Sequence, residues 1–256
     1  PNLEKYPLWE GYTRDDLQPP SFTPEQLFAH CQAEGVDRIV LIQMSWYRFD
    51  NSYMLDCMER FPGVFGAVGI VDWFGNRPDD DMARLAKRGV RGFRVTNRDA
   101  ADKSKWIETP GFERMFEHAA DNGLAICPLM GPDGLASLSR MCEKYADTRV
   151  VIDHFCRIGI DGTIRDEDVR ALEAMATRRA RSSKNAPLSK CAVAWAMAAS
   201  RVMIIPVLFR SISVRPCLYQ GAVIKTHIDR LRGPSGRSGT ADDRYRQGFR
   251  TPPRGL

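Results

Sequence analysis

Residues Arg149 to Gly159 read Arg-Val-Val-Ile-Asp-His-Phe-Cys-Arg-Ile-Gly, an apolar, β-branched run that ends in Asp153, His154 and Arg157. The run predicts a short buried strand that delivers polar side chains at its C-terminal end, which is where α/β barrels do their chemistry. His154 is one of four histidines, and it alone falls at a strand end; His30 and His118 fall within helices. A lone histidine is more often a core residue satisfied by a backbone carbonyl than a reactive group. Its context therefore decides its reading.

Upstream, the same strand pattern recurs with helices between. Thr23-Pro24-Glu25-Gln26 predicts a helix start, with Thr as N-cap, Pro at the first helical position and Gln three residues after the cap. Gly35 ends that helix, and Val36 to Gln43 reads as a buried strand. Helices over about 51–60, 79–88, Pro110–Asn122 (capped by Thr109) and 134–145 alternate with further strands, so that parallel strands begin near 37, 64, 90, 124 and 150. This rhythm predicts an α/β fold, either a doubly wound sheet or a (β/α)8 barrel. A nucleotide-binding sheet should carry G-x-G-x-x-G or a P-loop after a strand, and neither follows any strand here. The strand ends carry Gln43, Asp72, Arg94, His154 and Arg157 instead. Polar residues converging from several strand ends favour an incomplete TIM-like barrel.

Five pieces in order resemble a known family: Gly35 to Gln43, Asp50-Asn51 at a helix start, Phe61-Pro62-Gly63-Val64-Phe65, Gly89 to Arg94, and Val151-Ile152-Asp153-His154. Together they are similar to the amidohydrolase-related family, in the branch of 2-pyrone-4,6-dicarboxylate lactonase and aminocarboxymuconate semialdehyde decarboxylase. The resemblance covers residues 1 to about 177 and implies a distorted TIM barrel with a hydrolytic or decarboxylating site at the strand C-termini. It implies that His154 is the sixth-strand histidine, a catalytic group and a candidate metal ligand, and that Arg94 suits an anionic substrate. The family's first-strand His-x-His is absent from this chain, the fifth-strand histidine position reads Ile126-Cys127-Pro128-Leu129, and no Trp-Gly-Ser-Asp segment supplies the eighth-strand aspartate. The implied cofactor is one divalent metal, zinc or manganese, or none, since the branch contains both kinds.

Composition bounds the rest. The 256 residues are 43% hydrophobic, enough for a sizeable core, and the seven cysteines form no C-x-x-C pair, which fits packing thiols in a cytoplasmic protein. Pro-Asn-Leu-Glu-Lys shows no secretory signal pattern, and a start at Pro1 predicts a chain that begins inside a longer one. The formal net charge of +5 is unevenly spread: Arg178 onward carries 16 Lys and Arg against 3 Asp and Glu, leaving residues 1–177 at a net of −8. A basic tail can bind nucleic acid, but no recognition motif accompanies this one. Ser200, Arg201 and Pro206 interrupt the apolar stretch from Cys191 to Phe209, which argues against a membrane span. Residues 1–180 therefore read as a partial barrel, and residues 181–256 as an irregular basic tail, either disordered or the product of a shifted reading frame.

The expected activity is hydrolysis of a small carboxylated lactone or ring compound, impaired in this form. A decarboxylase of the same branch and a non-catalytic degenerate relative are the alternatives. The expected partner is a small carboxylated substrate, with no specific nucleic acid and no membrane. His154 is the expected catalytic residue, and Arg94, Arg157, Gln43 and Asn51 the expected substrate-binding residues. Asp153, by strand alternation, is expected to point to the face opposite His154. Asp72 is expected at the pocket or in a turn, and Arg91 in solvent.

Overall fold

Apolar spacing explains the helices. In Pro110–Asn122 the residues Phe112, Met115, Phe116 and Ala119 fall on one stripe and are all buried. Pro110 opens this helix with the fixed φ that a first turn needs. Gly123 closes it in the left-handed region (φ 63°), where Leu124 N–H reaches back to the Ala119 carbonyl. Thr109 stands at the N-cap with extended backbone, but its hydroxyl makes no capping bond, contrary to expectation. The capping box at Thr23 does form: Thr23 N–H donates to Gln26 Oε1 at 2.8 Å and Gln26 N–H to Thr23 Oγ1 at 3.4 Å.

The computed structural model describes residues 2–17, 19–31, 36, 38–98, 100–182, 191–193 and 202–206, with side chains through Met175. Gly35, expected to end the first helix, lies outside them. In chain order the elements are α1 (Pro24–Cys31), β1 (Arg38–Ile42), α2 (Ser52–Arg60), β2 (Phe65–Gly69), α3 (Pro78–Lys87), β3 (Val90–Thr96), α4 (Pro110–Asn122), β4 (Ala125–Leu129), α5 (Leu135–Lys144), β5 (Arg149–Ile152), α6 (Asp166–Ser182), β6 (Cys191–Val193) and β7 (Val202–Pro206). Helix α6 was not anticipated, although its acidic first turn and the buried Val169, Leu172 and Met175 are ordinary helix signals.

All pairings are parallel, in the order β6-β5-β4-β3-β2-β1-β7. Each of β1 to β5 lies beside its sequence neighbour, the order of a (β/α) barrel, and helices connect them as in an α/β protein. The segment expected to be irregular contributes β6, with Val150 opposite Cys191, and β7, with Arg38 opposite Val202. The rest of residues 183–256 lies outside the described residues. Pro206 ends β7 at the sheet edge, where a missing N–H is tolerated.

The sheet has two faces. Ile39, Leu41, Phe65, Ala67, Val90, Phe93, Val95, Ile126, Val150 and Ile152 join the helices in the main core. The inner face carries Ile42, Val68 and Cys127, with Val40, Ala125 and Val151 against them. A Cβ at Gly92 would meet both Val68 Cγ2 (3.1 Å) and Cys127 Sγ (3.2 Å), so the absent side chain lets the Val68 and Cys127 side chains close over β3. The five cysteines among the described side chains are free and buried, as expected of packing thiols.

Candidate active site

Alternation along a strand assigns the site's side chains to a face. Arg94 is two residues from Gly92, and Asp153 two residues from Val151, so both stand on the inner face. There they meet. Arg94 Nη2 donates to Asp153 Oδ2 at 2.7 Å and Nε to the same oxygen at 3.2 Å, with both side chains 9% exposed. Asp153 thus stands on the same face as Arg94.

His154 is brought to the site by a different device. After Asp153 the chain makes a left-handed turn in which His154 (φ 51°), Phe155 (φ 51°), Cys156 (φ 57°) and Arg157 (φ 54°) all have positive φ. Four consecutive non-glycine residues in that region cost about 1–2 kcal/mol each, and such strain gathers at functional sites. Burial of Cys156 and Ile158 holds the turn in place. Burial pushes the His154 imidazole below its usual range; the Asp153 charge opposes this, and the Arg94 and Arg157 charges reinforce it. His154 is therefore neutral at pH 7, able to accept a proton or a hydrogen bond. Arg157 is exposed, and among the described residues its guanidinium makes no ion pair.

The other expected residues hold backbone. Gln43 Nε2 donates to the carbonyls of Asp50 (2.5 Å) and Arg48 (3.3 Å), so both its N–H groups shape the loop after β1. Asn51 Nδ2 donates to the carbonyls of Phe49 and Ile70, each at 2.9 Å, and its Oδ1 accepts from Ile70 N–H at 3.0 Å. These bonds lock the start of α2 to the end of β2. Asp72 accepts from Phe74 N–H in a tight turn, and Arg91 satisfies the Ala86 carbonyl at the end of α3. Neither Gln43 nor Asn51 has an uncommitted N–H for a substrate.

Asn97, not singled out from the sequence, is buried just beyond β3, with its amide 3.4 Å from Asp133 Oδ1. Asp133 follows β4 and also pairs with Lys103 at 3.2 Å. The signal was a polar residue immediately past a strand end, as at Asp153.

The donor set among the described residues does not fit a divalent metal. Among the described residues no group of three His, Cys, Asp or Glu is placed to hold one, and catalytic zinc generally takes three protein ligands. Burial, with the Asp153 charge, raises the Cys127 thiol and keeps it protonated, and Asp153 is occupied by Arg94.

Comparison with known proteins identifies the family. The Amidohydrolase family model (Amidohydro_2) matches residues 3–185. The chain is 32% identical over 156 residues to an L-fucono-1,5-lactonase of Burkholderia ambifaria, covering 57% of this chain and 53% of that one. It is 27% identical over 159 residues to a 4-sulfomuconolactone hydrolase of Rhizobium radiobacter, covering 62% and 52%. The chain thus spans about half the length of these curated relatives. A probable 2-pyrone-4,6-dicarboxylic acid hydrolase of Acinetobacter baumannii, solved with citric acid bound, superposes with a TM-score of 0.53 at 19% identity, over 67% of this chain and 61% of that one. Among the described residues no helix is long and apolar enough to cross a membrane.

Proposed function

The chain belongs to the amidohydrolase family, and from that premise we propose that its site serves the hydrolysis of a small carboxylated lactone. The observation that carries the proposal is the Arg94–Asp153 pair on the inner face beside His154 and Arg157. Asp153 takes the Nε and one Nη2 hydrogen of Arg94, which among the described residues leaves the Nη1 group uncommitted. A fixed guanidinium of this kind can hold a substrate carboxylate with directed hydrogen bonds. Arg157 supplies a second cation, which matters because Asp153 already offsets the charge of Arg94. Neutral His154 can take a proton from water attacking the lactone carbonyl and return it to the departing ring oxygen.

The relatives' names support the class: one is a 4-sulfomuconolactone hydrolase, another an L-fucono-1,5-lactonase, and the superposed structure a probable 2-pyrone-4,6-dicarboxylic acid hydrolase. We infer in addition that the 256 residues alone turn over slowly, because His154 is the one uncommitted base beside the Arg94–Asp153 pair among the described residues. The test compares 2-pyrone-4,6-dicarboxylate with an uncharged lactone, in binding and in hydrolysis, for the chain and for its Arg157→Met and His154→Gln variants. The expected result is selective binding of the dicarboxylate, weakened in Arg157→Met, with residual hydrolysis lost in His154→Gln. Equal binding of both lactones, unaffected by Arg157→Met, would overturn the reading.

A further inference from the structure

The register of the sheet orders the inner face in rows. Arg94 stands opposite Cys127, and Thr96 opposite Leu129. Ile126 pairs with Val150, and continuing that register sets Val151 beside Cys127 and Asp153 beside Leu129. Residues two apart share a face, so Arg94, Cys127 and Val151 form one row, and Thr96, Leu129 and Asp153 the next row toward the strand C-termini. Arg94 and Cys127 are buried, whereas Thr96 and Leu129 are half-buried, so the second row is the one nearer solvent. Arg94 reaches up from the first row to hold Asp153 in the second.

Thr96 brings to this row a hydroxyl whose bonding capacity is half used. Its Oγ1 accepts from Arg98 N–H at 3.2 Å in the turn that leaves β3, and among the described residues its hydroxyl hydrogen goes to no partner. A threonine hydroxyl has one hydrogen to donate, and a β-branched side chain is stiff about χ1. The bond from Arg98 therefore fixes the oxygen and leaves the hydrogen to be given. Two strand spacings of about 4.7–4.9 Å each separate Thr96 from Asp153, with the apolar Leu129 between them. That is room for one flat ring lying over Leu129, with a polar group at either end of the row.

We propose that Thr96 is the residue that recognises the ester of the substrate: its hydroxyl donates to the carbonyl oxygen of the lactone ring while Arg94 holds a carboxylate. The proposal rests on the lactone reading and deepens it, since the arginines recognise the acid groups and Thr96 the bond to be broken. As water adds to the carbonyl carbon, the carbonyl π pair moves onto the oxygen held by Thr96, where the hydrogen bond strengthens, and the proton of the water passes to His154. Expulsion of the ring oxygen restores the carbonyl and takes that proton back. The site therefore distinguishes a lactone from a carbocycle that bears the same acid groups.

The test uses the full 256-residue chain and two planar dicarboxylates: 2-pyrone-4,6-dicarboxylate, and benzene-1,3-dicarboxylate, which carries its acid groups in the same relation on a ring without an ester. Titrations followed by ligand-observed NMR should show the pyrone bound about 3- to 10-fold more tightly, the value of one hydrogen bond. Thr96→Val keeps the branched shape that suits a strand. It should abolish that preference and leave the affinity for benzene-1,3-dicarboxylate unchanged, whereas Thr96→Ser should retain the preference. Arg157→Met should weaken both ligands alike, because it acts on the acid groups. A preference that survives in Thr96→Val, an equal loss of both ligands in that variant, or equal affinity of the unaltered chain for the two would overturn the role of Thr96; weakening of both by Arg157→Met would still leave the lactone reading standing. Failure of both dicarboxylates to bind would overturn the lactone reading itself, and the role of Thr96 with it.

Discussion

Replacing Arg94 by Met leaves the Asp153 carboxylate buried on the inner face, where its side chain is 9% exposed and its hydrogen-bonding partner has been Arg94. Removing one member of a buried ion pair costs about 3–5 kcal/mol, mostly because the remaining charge stays desolvated, whereas exchanging both members for apolar groups of similar volume is often close to neutral. Arg94→Met and Asp153→Leu should therefore each be strongly destabilising, while the double variant should return near the wild type. At about 2–4 °C per kcal/mol for a domain of this size, each single change lowers Tm by about 6–20 °C. Guanidinium unfolding followed by the buried Trp73 and Trp106 would give the four free energies, and the double-mutant cycle isolates the coupling. Single variants within about 0.5 kcal/mol of wild type would refute the reasoning, since that is the scale of an ordinary surface substitution. A double variant as unstable as the two singles combined would refute it equally.

Gly111→Ala should destabilise by about 1–3 kcal/mol or more, because its Cβ would run into the Trp73 carbonyl oxygen, a backbone atom that cannot turn aside; an unchanged denaturation midpoint would show that α4 can shift. Arg157→Gly should stabilise the free chain by about 0.5–1 kcal/mol, the left-handed penalty relieved at φ 54° less the entropy cost of glycine, and a lower midpoint would contradict the strain assigned to the turn. The depressed His154 means that the unfolded chain binds its proton first as pH falls, so stability is full above the ordinary histidine value and declines below about 6.5. His154→Asn, which tolerates the same backbone, should flatten the stability profile below pH 6.5 by up to about 1.4 kcal/mol per pH unit, and an identical slope in the two proteins would exclude His154 as its source.

The five-strand rhythm was legible because it rests on local chemistry: apolar runs of strand length, helices marked by Pro24 and Pro110, and the stop at Gly123. Arg94 and His154 were legible for the same reason, as polar residues that end such runs. What Arg94 touches was not, because Asp153 lies 59 residues away and the pair forms only when β3 and β5 are set on either side of β4. Gln43 and Asn51 look like pocket residues by position, yet their amides are taken by loop and strand carbonyls whose placement depends on the closing of β1, β2 and α2. The left-handed turn at His154 breaks the alternation that a sequence reader must assume, and its four residues have no intrinsic preference for it. Sequence alone determined the elements and the polar residues at their ends, since hydrophobic period and turn chemistry act over a few residues; tertiary structure decided which of those residues are paired, neutral or uncommitted, since burial and charge act between residues that the chain holds far apart.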